Sequence, residues 1–324
     1  TLFRSPDEIY FTSGGTEANN TAVLGIAEAY KKRGNKVITS NIEHPSVADS
    51  FKELEARGFE VVTLNADEKG YINLEELERE VDENTILVSI MYVNNEVGTV
   101  QPIEKMAEII KSKNKNCIFH TDCVQAFGKH PINGKHFDAI SVSGHKIHCP
   151  KGVGVLYLRK GVRAKNLHFG GGQEKGFRPG TENTGSIVAM GLGAEIAKRD
   201  LEKNFEKVKA VKEKLMTICD ILPDVYVNGD SENGSPYILN LSFEGVKGEV
   251  LLHALENYEI YVATGSACSS RAKEKKKIVD YLIDGRGSST VRFSFDCENT
   301  VEEAEKAIEV LKEQVPMLRM FQPR

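Results

Sequence analysis

The chain has 324 residues, 40% of them hydrophobic, with 28 glycines, enough to bury a substantial core and to divide into two domains. A formal net charge of -5 leaves no basic footprint for direct nucleic-acid binding. No apolar run is long enough to span a bilayer and the start carries no charged-then-apolar leader, so no membrane partner and a cytoplasmic location are expected. Six cysteines (Cys117, Cys123, Cys149, Cys219, Cys268, Cys297) follow no regular spacing, which predicts reduced thiols. The chain enters a strand almost directly after Thr1, without a methionine, and an N-terminal piece is therefore expected to be missing.

In chain order, Ile9 to Ser13 reads as a strand and Thr16 to Lys32 as a helix ended by Gly34. Val37 to Ser40 is a strand, and Pro45 opens a helix with Val47, Phe51 and Leu54 on one face. Strands follow at Phe59 to Leu64, Thr85 to Val93 and Ile118 to Asp122, with helices at Leu74 to Val81 and Ile103 to Lys113 between them. Two further apolar runs, Ala139 to Val142 and Val153 to Leu158, flank a polar connection. This alternation predicts an α/β domain whose mostly parallel sheet is sandwiched by helices. From about Asp200 the pattern becomes a long charged helix, strands at Tyr237 to Phe243 and Val291 to Phe295, and a last helix from Val301 to about Met317. The predicted division is a large domain over 1–200 and a smaller C-terminal α+β domain over 201–324.

The strand ends carry the chemistry. His44 follows the second strand, Asn94 and Asn95 the Ile86 to Val93 run, Asp122 closes His120-Thr121-Asp122, and Lys146 follows Ile140 to Val142 within Ser143-Gly144-His145-Lys146. Carboxyl ends of parallel strands share one edge, so these side chains are expected to converge on one crevice. At the same edge Ser13-Gly14-Gly15-Thr16 enters a helix, where bare N–H groups and the positive dipole end suit a phosphate. A phosphate cradle, a lysine able to form a Schiff base, a carboxylate and an imidazole together describe a site for pyridoxal 5'-phosphate. Asp122 suits the ring nitrogen, and His44 suits stacking on the ring and proton transfer near neutral pH. His120, Asp122, Cys123, His145, His148 and Cys149 invite a zinc reading, but strand alternation turns Cys123 away from His120 and Asp122. No metal is expected.

The ordered segments Thr12-Ser13-Gly14-Gly15-Thr16-Glu17-Ala18-Asn19-Asn20, Glu43-His44-Pro45, Asn94-Asn95-Glu96-Val97-Gly98, Asp122-Cys123-Val124-Gln125 and Ser143-Gly144-His145-Lys146 continue through Gly170-Gly171-Gly172-Gln173-Glu174 and Arg178-Pro179-Gly180-Thr181-Glu182-Asn183 to Gly265-Ser266-Ala267-Cys268-Ser269-Ser270 and Arg292-Phe293-Ser294. Over almost its whole length the chain resembles the NifS/IscS-type cysteine desulfurases of the class V aminotransferase family, which are fold-type I pyridoxal phosphate enzymes. The resemblance implies that Lys146 is the Schiff-base lysine, Asp122 the pyridine-nitrogen partner, Gln125 the donor to the ring oxygen and His44 the stacking base. It implies phosphate ligands at Gly15, Thr16, Ser143 and His145, joined by Thr181 from the other subunit of a homodimer, and a substrate-carboxylate grip by Asn94 and Arg292. Cys268, flanked by small residues, is implied to take sulfur from L-cysteine as a persulfide, releasing L-alanine and passing the sulfur to an acceptor or iron-sulfur scaffold protein, for iron-sulfur clusters, thio-cofactors or tRNA. The segment from about Gly265 to Lys277 is expected to be poorly ordered or extended away from the cofactor.

Two other readings stay open. One is a selenocysteine lyase or an aminotransferase on the same scaffold, the latter disfavoured by Cys268. The other is a catalytically impaired scaffold protein, since the family's Asn-Ala-Ala-Thr-like N-terminal stretch is absent and Arg271 to Ile283 lacks the Pro-Ser-His stretch of many relatives.

Overall fold

The computed structural model describes residues 5–264, 278–282 and 285–321. Cys268 and the whole 265–277 segment, expected to be poorly ordered or extended away from the cofactor, lie outside the described residues. The chain forms two compact units, one of 1–66, 72–93 and 101–201, the other of 67–71, 94–100 and 202–324. The two units change over next to residue 200, with 67–71 and 94–100 grouped with the second unit.

In the first unit the order is β1 (Ile9–Thr12), α1 (Gly15–Tyr30), β2 (Lys36–Ser40), α2 (Pro45–Ala56), β3 (Glu60–Leu64), α3 (Leu74–Glu80), β4 (Thr85–Ser89), α4 (Ile103–Lys113), β5 (Ile118–Asp122), β6 (Ala139–Ser143), β7 (Gly154–Leu158) and α5 (Thr184–Arg199). The seven strands lie in the order β1-β7-β6-β5-β4-β2-β3. Pairing is parallel from β6 through β3, while β7 runs antiparallel to both β6 and β1. Six strands thus point one way, and their carboxyl ends share an edge. β2, β4, β5, β6 and β7 are buried at every position, as expected of a sheet covered on both faces. The strand ends at Ser89, although Ile90 N and Tyr92 N still donate to His120 O and Asp122 O at 3.3 and 3.0 Å, and Asn94 and Asn95 belong to the other unit.

α1 brings Ala18, Ala22 and Ile26, one turn apart, into a core with Val47, Phe51 and Leu54 of α2 and Leu87 and Leu156 of the sheet. Each fully buried large aliphatic side chain in such a layer contributes roughly 1.5–3 kcal/mol. α1 starts where β1 ends, so this packing fixes its amino terminus at the carboxyl edge of the sheet.

The second unit contains α6 (Leu201–Met216), α7 (Ile218–Ile221), β8 (Val225–Asn228), β9 (Ile238–Phe243), α8 (Gly248–Glu256), α9 (Ile278–Leu282), β10 (Thr290–Ser294) and α10 (Val301–Met320). Its antiparallel sheet has the order β10-β9-β8. Leu239, Leu241 and Phe243 pack with Leu251, Leu255, Val291, Ile308 and Leu311. α10 begins with a reciprocal cap, Thr300 Oγ1 accepting from Glu303 N at 3.3 Å and Glu303 Oε2 from Thr300 N at 3.1 Å, a device that satisfies two otherwise open donors.

Candidate active site

The carboxyl edge of the large sheet gathers β1's exit, the loop after β2, the end of β5 and the turn after β6. Gly15, the first residue of α1, sits so close to its neighbours that a Cβ would lie 2.8 Å from Val124 Cγ2 and 3.3 Å from Ser143 Cβ. A Cβ on Gly154 would lie 2.6 Å from Gly14 backbone atoms. Glycine at both places lets β7 and the β5 and β6 loops close on the start of α1, which leaves its N–H groups at a shared cup with Ser143. There Ser143 Oγ and His145 Nδ1 are 2.8 Å apart. Burial holds His145 below the ordinary histidine range, and Lys146, Lys151 and Lys129 add to the effect. Thr16 is exposed at the same helix start, and Lys146 is half-buried in the short 3-10 turn Gly144–Ile147 that continues β6.

Asp122, at the end of β5, is 4% exposed. Its Oδ1 accepts from Val124 N at 2.8 Å and its Oδ2 from Asn19 Nδ2 at 2.7 Å. Burial raises its pKa, and both hydrogen bonds and His44 oppose that. A carboxylate so placed is held at a cost that a cationic ligand would offset. His44 caps α2, its Nδ1 accepting from Ser46 N at 3.1 Å. Gln125 uses its Oε1 on Lys129 Nζ at 3.4 Å, so its amide NH2 is the end a ligand would meet.

Next to His44, Glu43 is fully buried, accepts from Ser40 Oγ (2.5 Å) and Met91 N (3.0 Å) through Oε1, and is pushed up to about 8, first by burial. Burial thus favours its protonated form near neutral pH. Because the folded pKa lies above the unfolded value of 4.5, the folded state binds the extra proton between these values. Stability is then fully present below about pH 4.5 and falls as pH rises to about 8. Glu43→Gln should flatten that fall by a few kcal/mol at most, measured by urea unfolding from pH 5 to 9; a pH dependence equal to wild type would contradict it.

The loop carrying Thr181 is tied to α1 by Arg178, whose Nε and Nη2 donate to Glu17 Oε1 and Oε2 at 2.8 and 3.2 Å. Glu17 also accepts from Ser13 N at 2.8 Å and is held at about 2 by these bonds despite burial. Thr181 itself is exposed, just before Asn183, the cap of α5. Along α5, Val188, Leu192 and Ile196 repeat every four residues and are 72%, 58% and 40% exposed, an apolar stripe on a helix whose opposite side holds Met190 buried.

In the second unit Arg292 lies on β10, opposite Asn240 of β9. Its Nη1 donates to Asn95 O at 2.8 Å, while its buried Nε has no hydrogen-bond partner among the described residues. Burial weighs against its charge and Glu96 supports it. Asn94, fully buried, uses Oδ1 to accept from Glu96 N and Val97 N, both at 2.9 Å, which shapes the turn that Arg292 touches.

A half-buried lysine, a buried acid, a capped imidazole and a glycine-lined helix start on one edge coincide with a match to the family described as Aminotransferase class-V over residues 2–307. The chain belongs to that family. Among class-V members it is similar to the "NifS/IcsS protein homolog" of Lactobacillus delbrueckii subsp. bulgaricus, at 44% identity over 95% of this chain and 81% of that protein. It is similar also to "Cysteine desulfurase IscS" of Pectobacterium carotovorum subsp. carotovorum, at 42% identity over 98% of this chain and 79% of that protein. A solved structure titled "NIFS-LIKE PROTEIN" superposes with a TM-score of 0.90 at 38% identity, covering 97% of this chain and 84% of that one. The class-V fold, a mostly parallel sheet flanked by helices with a second small sheet, is therefore the fold expected from the sequence pattern. No helix among the described residues is long and apolar enough to cross a membrane.

Asn19, Ser46, Glu17 and Arg178 carry no individual role in the sequence pattern. Asn19 stands one turn after Thr16, and Ser46 two residues after His44; those spacings are the only local signal for them.

Proposed function

We propose that the chain is a pyridoxal phosphate-dependent cysteine desulfurase that turns L-cysteine into L-alanine and carries the sulfur as a persulfide on Cys268. The observation that carries this reading is the buried Asp122, held for ionisation by Asn19 and Val124 N on the sheet edge that also carries Lys146, in a chain about 40% identical to proteins named for that activity. The cup fits the group: a glycine-lined helix start with Ser143 and His145 suits a phosphate, and an aldehyde needs a primary amine, which Lys146 supplies. When bound, the cofactor supplies an electron sink for bonds broken at the substrate's α-carbon.

The chain's own residues do the rest. Gly15, Thr16, Ser143 and His145 would hold the phosphate, joined by Thr181 of a second copy, and Gln125 would donate to the ring oxygen. Asp122 would keep the pyridine nitrogen protonated, and His44 would serve as the stacking base. Arg292, whose Nε has no partner among the described residues, takes the substrate carboxylate beside Asn94, a task a planar guanidinium performs through two parallel hydrogen bonds. In the net transfer the substrate's carbon–sulfur bond breaks and a sulfur–sulfur bond forms at Cys268, while alanine's methyl gains the hydrogen that balances the lost thiol proton. The persulfide then serves a sulfur-acceptor or iron-sulfur scaffold protein.

Asp122→Asn tests the reading. It should keep the fold and bind the cofactor, yet form alanine on the order of 100-fold more slowly, because an amide cannot hold the ring nitrogen protonated. Turnover at the wild-type rate would remove Asp122 from the site.

The working unit is a homodimer. The α5 stripe beside Thr181 is apolar and exposed, and a second copy would cover it while lending Thr181 to its neighbour's phosphate. Leu192→Asp should shift sedimentation toward monomer and weaken cofactor retention; a fully active wild-type monomer would contradict this.

A further inference from the structure

The hydrogen bonds around His44 follow one path whose donors and acceptors are fixed by chemistry. Ser46 N lies 3.1 Å from His44 Nδ1, and a peptide N–H can only donate, so Nδ1 carries no proton. Ser46 Oγ is 2.8 Å from the same Nδ1 and therefore donates to it as well. That hydroxyl in turn accepts from Asn19 Nδ2 at 2.9 Å, and Asn19 Nδ2 also donates to Asp122 Oδ2 at 2.7 Å. Turning the Asn19 amide over would set its oxygen against the Asp122 carboxylate. Its Oδ1 is buried without a partner among the described residues, so the amide gives up that acceptor to serve both neighbours.

The sequence enforces the arrangement. Pro45 restricts the residue before it to extended backbone, and His44 accordingly has φ -61° and ψ 145° as the cap of α2. The imidazole therefore faces the positive end of a helix, which disfavours an imidazolium.

We propose that Asn19 and Ser46 are positioning residues that bridge Asp122 to His44 and lock the imidazole neutral, with its single proton on Nε2. His44 then exchanges protons through Nε2 alone. Protonating Nδ1 would set its N–H against the Ser46 peptide N–H, which can only donate, and would require the Ser46 hydroxyl to turn from donor to acceptor. The charged groups around the ring are Asp122 and Asp49, which favour the cation, and Lys146, which disfavours it; burial, the largest influence, also favours the neutral ring. The catalytic meaning of the bridge rests on the proposed role of His44 beside the cofactor ring, whereas the tautomer is a property of this chain.

The test is a long-range proton–nitrogen spectrum of the full chain, loaded with pyridoxal phosphate and labelled with nitrogen-15 at histidine, with His44 assigned through His44→Gln. Wild type should show Nδ1 unprotonated and Nε2 protonated from pH 6 to 8. In Ser46→Ala and Asn19→Leu the His44 midpoint should rise by about half a unit to one unit, the worth of one lost hydrogen bond to the neutral form, and Ser46→Thr should restore it. A proton on Nδ1 at pH 7 in wild type, or an unchanged midpoint in both variants, would overturn the proposal, and the wild-type spectrum decides the tautomer even where a variant fails to fold. Alanine formation by the same wild-type sample reads the desulfurase proposal separately: turnover with the wrong tautomer sinks the bridge alone.

Discussion

Cys268→Ser is expected to bind pyridoxal phosphate and L-cysteine as wild type does, yet to lose sulfur transfer by on the order of 10³-fold or more. A serine hydroxyl stays protonated at neutral pH and forms no stable bond to sulfane sulfur, whereas a thiolate is both nucleophile and acceptor. The other cysteines cannot replace it. Cys117 and Cys123 are buried, their thiols pushed up to about 12 and well above the ordinary value by burial. Burial also raises Cys149, Cys219 and Cys297. Mass spectrometry after a single turnover should therefore find persulfide on the Cys268 peptide only. Persulfide formed at the wild-type rate in Cys268→Ser, carried on Cys123 or Cys297, would remove Cys268 from the reaction.

Lys146→Arg should have an equally large effect for a different reason. Arginine keeps the positive charge beside Ser143 and His145, but its guanidinium does not deprotonate and cannot condense with an aldehyde. The variant should retain phosphate-anchored cofactor weakly and lose at least about 10³-fold in alanine formation. Borohydride reduction of the wild-type holoenzyme should fix the pyridoxyl group to the peptide containing Lys146, and the same treatment of Lys146→Arg should fix none. Label on another lysine would displace Lys146.

The parts of the fold that were legible in the sequence are those written in short-range pattern. Helix α2 announces itself through Pro45 and the spacing of Val47, Phe51 and Leu54, and α4 spans Ile103–Lys113, the bounds its sequence pattern predicts. Strand direction is not so written: Gly154–Leu158 has the same apolar character as its neighbours, yet it pairs antiparallel to β6. The run after Ser89 stays buried at Ile90, Met91 and Val93, so hydrophobicity alone extends β4 too far. At the site, Thr16, His44, Asp122 and Lys146 stand next to strand or helix ends, where a linear reading finds them. Asn19 and Ser46 are different, because each matters through a partner 103 or 27 residues away, and only the packing of α1 against β5 and α2 brings those partners together.

In the proposed reaction sulfur leaves L-cysteine and alanine remains. A single assay supplies the purified chain with pyridoxal phosphate, L-cysteine and a thiol reductant, and follows alanine and released sulfide together. Equal amounts of the two, formed over many turnovers, are predicted. Sulfide accompanied by pyruvate and ammonia, a keto acid with no sulfur released, or no product from a fully loaded protein would contradict it.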